Sequence, residues 1–579
     1  MTEFAVWAPD AERVEVALGA ALDRYPLAPG EGGWWSADVP GAGHGTDYGF
    51  AVDGGDVRPD PRSPWQPAGV HAPSRVYEHA RFAWSDGGWH GRPLAGSVLY
   101  ELHVGTFTPQ GTFDAAADRL PHLVDLGVTT VEIMPVAAFP GKHGWGYDGV
   151  HLWAPHEPYG GPDGLKRFVD AAHAHGVAVV LDVVYNHLGP SGNYLGQYGP
   201  YFTDTHTTPW GPAVNFDAPG SDEVRAFVVG NALMWLRDYH LDGLRLDAVH
   251  AIADDRAVHV LEELGVAVAN LSAHLGRTLT LIAESDLNDA RMVTPREAGG
   301  LGLDAQWDDD VHHALHAALT GERQGYYVDF GATDTLAHAL TRVFVHDGAY
   351  STYRGRHHGR PVDVTRVPAS RFVTFLQNHD QIGNRASGDR ITATLSPGLL
   401  RVGAALLLLG PYTPMLFMGE EWGARTPWRY FTDHREPELA RAVSEGRRRE
   451  FARYGWADEV PDPQDPETFR SSVLDWDEAS RPEHDALLDW HRTLIALRGA
   501  RPDLTDGRLT EARVEAGDGW LVLERAATVV AANLGGAPAT VPVRAAALLL
   551  SSDEGITFSP EGQTSLTLPP ESVAVLTRC

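Results

Sequence analysis

From residue 97 to residue 421 the chain repeats one alternation: a short apolar run ending in polar residues, then a longer stretch of helical pattern or loop. The runs are SVLYELHV (97–104), TTVEIMPV (129–136), VAVVLDVVYNH (177–187), LDGLRLDAV (241–249), TLTLIAES (278–285), LDAQWDDD (303–310), RFVTFLQNHD (371–380) and TPMLFMGEE (413–421). Between the first three lie FDAAADRLPHLVDLG and GLKRFVDAAHAHG, whose apolar residues recur at helical spacing. Strand and helix patterns in strict alternation give a parallel sheet, and eight such units fit a (β/α)8 TIM barrel with long loop insertions. The segments on either side have a different texture. Residues 1–90 show short alternating runs (FAVWAP, RVEVAL, WWSADV, DYGFAV) between Gly, Pro and Asp clusters, and residues after about 505 return to GWLVLE, ATVVAANL, AAALLLS and SVAVLT. Both read as small β-sandwiches. The expected division is an N-terminal β-sandwich over 1–95, a catalytic barrel over 96–504 and a C-terminal β-sandwich over 505–579.

A barrel of this kind does its chemistry at the C-terminal ends of its strands. Those ends collect Asp182, Asn186 and His187; Arg245 and Asp247; Glu284; Asp308; His379 and Asp380; and Glu420 and Glu421. One charged strand end is more often a satisfied core or rim group than a catalyst, but six in eight at this place indicate a site. Within LDGLRLDAVH (241–250) the alternation of a strand puts Arg245 and Asp247 on one face, a cation beside an anion in apolar surroundings. Either they form a structural ion pair, or Asp247 is a working carboxylate kept ionised by its neighbour.

Several chemistries are excluded. There is no G-x-S-x-G elbow, no Gly-rich phosphate loop and no H-E-x-x-H zinc pattern. His103, His143, His187 and His379 lie on separate segments without tight spacing, so neither a metal nor a cofactor is expected. The formal net charge of −31 repels nucleic acid and anionic membranes. The single cysteine, Cys579, leaves no partner for a disulfide. The uncharged run from Val402 to Gly419 is broken by Gly403, Gly410, Pro411 and Pro414, so it reads as a buried helix and strand, not a membrane span. The opening MTEFAVWAPD lacks a basic, apolar leader, and a cytoplasmic protein is expected. What remains is carboxylates on neighbouring strands with Trp145, Tyr147, Trp210 and Trp307 between them. Paired carboxylates and flat aromatic platforms are what glycoside cleavage requires.

The strings DVVYNH (182–187), GLRLDAVH (243–250), IAES (282–285) and FLQNHD (375–380), in this order and each on a barrel strand, resemble the four signature regions of the α-amylase family, glycoside hydrolase family thirteen. The longer strings YELHVGTFTPQGTF, GWGYDGV, DVVYNHLGPSGNYL and QNHDQIGNR resemble its trehalose-releasing members, from the N-terminal sandwich to VSEGRRREF near residue 450, and less so beyond. The resemblance implies Asp247 as nucleophile, Glu284 as general acid/base and Asp380 as the third carboxylate, with Arg245 holding Asp247 ionised and oriented. It implies that His187 and His379 bond sugar hydroxyls, that Tyr147 stacks beneath the sugar, and that Asp182 orients its neighbours. Asn186 stands where other α-amylases bind calcium, but the trehalose-releasing members are not known to need it and no metal is assigned. The implied substrate is maltooligosyl-trehalose, and the implied functional partner is the synthase that makes it. Asp286, Asn288, Glu420 and Glu421 are the candidates for contacts to the leaving sugar. Two other readings stand beside this one: a 1,4-α-glucan branching enzyme, which has similar N-terminal strings, with a debranching enzyme of the isoamylase kind more distant; and, from another class, a non-catalytic glucan-binding protein.

Overall fold

The structure is a computed structural model that describes residues 2–208, 211–453, 460–558 and 564–578; Trp210 and Cys579 lie outside the described residues. All eight expected strands form: β1 (Leu99–Leu102), β2 (Thr130–Ile133), β3 (Ala178–Val183), β4 (Gly243–Leu246), β5 (Thr280–Ala283), β6 (Ala305–Trp307), β7 (Phe372–Phe375) and β8 (Thr413–Phe417). They pair in parallel, each with the next in sequence, and β8 closes on β1. Every residue of these strands is buried, which is why they read as continuous apolar runs rather than alternating ones. Leu99, Val180, Ile282, Ala305, Trp307, Val373, Phe375 and Met415 form one buried apolar cluster drawn from six of the eight strands, so the barrel is a packed core and not a pore.

Helices Gly161–Ala174, Ser221–Asp238, Val260–Leu275, Asp309–Thr320 and Pro397–Leu408 follow β2, β3, β4, β6 and β7. The uncharged run at 402–419 therefore splits into a helix and β8, as its Gly and Pro residues require. The connection from β5 to β6 departs from the expected pattern. It holds only the 3-10 turns Ala290–Met292 and Arg296–Ala298, because Pro295, Gly299, Gly300 and Gly302 interrupt any longer helix. Among the described residues no helix is long and apolar enough to cross a membrane.

The N-terminal segment builds a three-stranded and a four-stranded antiparallel sheet, joined where Phe4 of one meets Tyr48 of the other, ring centroids 5.0 Å apart. At the other end a five-stranded sheet faces a two-stranded one through Val522, Val529, Ala531, Val541, Leu566 and Leu568. The opposite face of the five-stranded sheet, with Leu521, Leu523, Val530 and Ala532, joins the main core, and its strands lie against helix Pro397–Leu408. Strand Thr528–Asn533 is thereby buried on both faces, which accounts for its unbroken apolar sequence.

Candidate active site

The strand ends of β3, β4, β5 and β7 surround a cavity of about 490 Å³ lined by Tyr147, His187, Asp247, Glu284, His379 and Asp380, among others. Its floor is built on Arg245. The guanidinium has no exposed surface and lies 4.2 Å above the Trp307 ring. Nη1 donates to Asp182 (2.9 Å) and to Asp247 (2.7 Å), and Nη2 lies 3.8 Å from Glu284. At the start of β4, Gly243 packs tightly against β5: a Cβ there would sit 2.6 Å from the Thr280 carbonyl oxygen. The other oxygen of Asp247 accepts from the Asn186 amide at 2.8 Å. Asp247 is therefore held at both oxygens, by a cation and by a neutral donor.

Just past Asp247 the backbone turns sharply. Ala248 has φ +39°, a left-handed conformation that costs a non-glycine residue on the order of 1–3 kcal/mol. The turn aims the Ala248 N–H at the Glu284 carboxyl and leaves Val249 bonded to the Glu284 carbonyl at 3.0 Å. Burial raises the Glu284 pKa, Asp247 adds to the rise and Arg245 opposes it. The two carboxyls thus share one guanidinium in different settings.

A second chain of contacts runs in from β1. Both oxygens of Glu101 accept from His379, one from its backbone N–H at 2.9 Å and one from Nδ1. Nε2 of His379 meets the Tyr147 hydroxyl at 2.8 Å, and that hydroxyl donates to Asp182 at 2.7 Å. Burial alone would lower His379, but Glu101 and Asp380 raise it to about 9, so it is a cation at neutral pH. Burial pushes Asp182 up to about 7 against the pull of Arg245. Glu101, His379, Tyr147, Asp182, Arg245 and Asp247 form one continuous line of hydrogen bonds. Tyr147 and His379 are stacked, with ring centroids 5.2 Å apart. His187 bonds Asn186 and the Tyr147 carbonyl (3.0 Å). Asp380 is about half exposed, 3.6 Å from His379, and accepts from Asn384 at 3.2 Å.

The residues expected to meet the leaving sugar fare differently. Asp286 sits on the rim, paired with Arg354 at 2.9 Å and 3.8 Å from His250. Asn288 is buried and turned inward, donating to Asp310 (2.9 Å) and to the His346 carbonyl (3.1 Å), so it is a brace and not a rim group. Glu421 is also corrected: its side chain has no exposed surface and accepts from Tyr100 (3.1 Å) and His122 (2.8 Å), away from the cavity. Glu420 is buried and accepts from the Phe417 N–H, closing the turn after β8. Asp308 does not reach the cavity either. It caps helix Asp309–Thr320, accepting from Asp310 and Val311.

Sequence reasoning missed Glu101, Arg354, Asn384 and Arg447. Glu101 was within reach, since it is a lone charge inside the apolar run SVLYELHV, the same signal that exposed Arg245. Arg447 lines the cavity from helix Pro437–Arg453 and donates to Asn384 at 2.9 Å, but no local pattern marks it.

The chain matches the alpha-amylase catalytic domain family over residues 76–200, carbohydrate-binding module 48 (the isoamylase N-terminal domain) over residues 1–66, and a domain of unknown function (DUF3459) over residues 507–575. A malto-oligosyltrehalose trehalohydrolase of Arthrobacter ramosus is 55% identical over 93% of this chain and 94% of its own length. A solved structure from Salmonella typhimurium, described as an alpha amylase, is 39% identical and superposes with a TM-score of 0.92 over 100% of this chain and 97% of that one. A 1,4-alpha-glucan branching enzyme of Nitratidesulfovibrio vulgaris is more distant, 33% identical over 73% of this chain and 70% of its own. The strand-end carboxylates, the matched catalytic domain and the near full-length likeness converge: the chain belongs to the malto-oligosyltrehalose trehalohydrolase family of α-amylase-type glycoside hydrolases.

Proposed function

We propose that the protein cleaves the α-1,4-glucosidic bond next to the terminal trehalose of maltooligosyl-trehalose, releasing trehalose and a maltooligosaccharide. The observation that carries this reading is the pair of carboxyls on one buried guanidinium: Asp247 held at both oxygens, and Glu284 with its pKa raised by burial. In the first step an Asp247 oxygen bonds to the anomeric carbon as the glycosidic C–O bond breaks, and the Glu284 proton passes to the departing oxygen. Water then enters, gives a proton to Glu284 and bonds to the same carbon, and Asp247 leaves as carboxylate. Two inversions retain the α configuration. Asp380 and the His379 cation face the same sugar, Tyr147 and His187 shape its subsite, and Arg245 holds Asp247 aimed.

The same reading sets the protein in the cytoplasm beside the synthase that supplies its substrate, and divides the chain at 95/96 and 504/505. It is tested by incubating the protein with maltooligosyl-trehalose, identifying the products and following the new anomer by NMR. Free trehalose with an α-configured maltooligosaccharide supports it. A β product would sink the retaining mechanism, and new α-1,6 branches on amylose would favour the second reading, a branching enzyme, for which the more distant relative speaks.

A further inference from the structure

Glu284 sits at the end of β5, and a general acid must stand beside the oxygen it protonates. The leaving sugar therefore lies over the β5 end, flanked by the loop after β5 and by the long insertion between helix Asp309–Thr320 and β7. These two segments are interlocked. Arg354 of the insertion reaches Asp286 at 2.9 Å, His358 bonds the Asp286 carbonyl at 2.7 Å, and the Arg360 N–H donates to the Asn288 carbonyl at 3.1 Å. Beneath them all is Asp310. One of its oxygens accepts from the Asn288 amide (2.9 Å) and from the backbone N–H groups of Val345 and His346, both at 2.8 Å. Asn288 has φ +52°, and there is no slack around it: a Cβ on Gly359 would lie 1.8 Å from the His346 carbonyl oxygen and 2.8 Å from the Asn288 Cβ. Asp310 itself is buried and lies outside the cavity lining.

We infer that Asp310 is a positioning residue for leaving-group specificity, its carboxylate clasping the loop after β5 to the insertion after β6 so that the rim over Glu284 keeps one shape. This rests on the function proposed above. Burial alone would raise the Asp310 carboxyl, but the His313 and His346 side chains beside it, with the His346 backbone N–H, hold it far below the usual carboxylate range, so the clasp stays charged over the whole working pH range. A bent, non-reducing trehalose and an extended maltooligosaccharide end differ in where their hydroxyls point. Only a rim fixed to within a fraction of an ångström leaves polar groups unpaired with the wrong one.

The test compares wild type with Asp310→Asn and Asn288→Gly, glycine being the residue that tolerates the positive φ without the amide. For each, kcat/KM is measured for trehalose release from maltooligosyl-trehalose and for hydrolysis of a linear maltooligosaccharide of equal length, with Tm alongside. The inference expects the preference for the trehalosyl substrate to fall by about tenfold or more in Asp310→Asn and by a smaller factor in Asn288→Gly, while linear hydrolysis stays within about twofold. A fall in Tm with the preference intact, or an equal fall on both substrates, overturns it and leaves Asp310 merely structural. If Asp310→Asn does not fold, Asn288→Gly decides by the same ratio. A wild type that shows no preference between the substrates overturns the proposed function, and with it any specificity for the clasp to set; a preference that survives in the variants overturns the clasp alone.

Discussion

The floor of the cavity and its leaving-group side are built by different means. Under Asp247 the contributing groups, the loop residue Tyr147 apart, stand on or just past a barrel strand, within a few residues of the hydrogen-bonded register: Glu101 on β1, Asp182 on β3, Arg245 on β4, His379 after β7. Over Glu284 the groups are loop residues from 286 to 360, tied to one another and to Asp310. The ladder of a closed barrel fixes most of the first set, with Tyr147 bridging His379 and Asp182 from a loop. The second set depends on hydrogen bonds between segments that no sheet holds together. Strand-borne chemistry should therefore be lost all at once when one of its charges is removed, and loop-borne specificity should be lost by degrees.

The sharpest way to break the comparison is Arg245→Leu. It leaves Asp182 and Asp247 without their shared cation, and breaking a buried pair of this kind costs about 3–5 kcal/mol of stability, less whatever protonation of Asp182 relieves. Losing the cation also removes the charge that opposes the burial-driven rise of the Glu284 pKa, so the pH–rate profile should shift. The rate at neutral pH should fall by about 10²–10³-fold. Unchanged activity and an unchanged profile in a folded variant would make Arg245 an ordinary structural ion pair and remove the floor's claim to chemistry.

Next in size is Glu101→Gln. Burial pulls the His379 pKa down, and Glu101 with Asp380 lifts it to about 9. A folded-state value above the ordinary 6.5 means that the histidine adds stability fully below about 6.5, and that this stability is lost as pH rises through about 9. Wild type should thus lose Tm across that window. In Glu101→Gln the amide also sets an N–H against the His379 N–H, His379 titrates lower, and the basic limb of kcat/KM should move toward neutrality with about a tenfold loss. A variant that keeps the wild-type basic limb and the wild-type slope of Tm against pH would show that Glu101 does not govern His379.

The same contrast explains what could be read from the chain. The barrel was legible because strands buried on both faces leave unbroken apolar runs, and the position of Asp247, Glu284 and Asp380 at the cavity because each follows its strand within a few residues. Glu420 and Glu421 misled for that very reason: position after a strand says nothing about whether a side chain turns toward the cavity, and Glu421 turns to Tyr100 and His122 instead. Asn288 misled because its amide turns inward to Asp310 and the His346 carbonyl, partners that only tertiary contact brings to it. The missing helix after β5 was signalled by Pro295 and three glycines, but a count of strands does not test helices. Arg354 and Arg447 come from an insertion and a distant helix, where only tertiary contact brings them to the site.

The smallest expected effect is also the finest test, because it repeats one substitution on a neighbouring strand. Glu132 of β2 stands in register with Glu101 of β1, and both are almost wholly buried. Glu101 has His379 as partner; among the described residues neither side-chain oxygen of Glu132 has a hydrogen-bond partner. Burial, and then the charge of Glu101, raises Glu132 well above the ordinary carboxylate value, which favours its neutral form. An amide of the same shape then replaces an uncharged group by an uncharged group. Glu132→Gln should keep kcat/KM within about twofold and leave both limbs of the pH profile where they are, because no charge near Asp182 or Arg245 has changed. If Glu132 were ionised, the same variant would delete a negative charge from the floor and shift the profile as Glu101→Gln does. Matching pH profiles for the two glutamine variants would therefore refute the assignment of one charged and one neutral glutamate. Divergent profiles would show that the floor's chemistry depends on which strand holds the charge, and not on how many carboxyls the barrel contains.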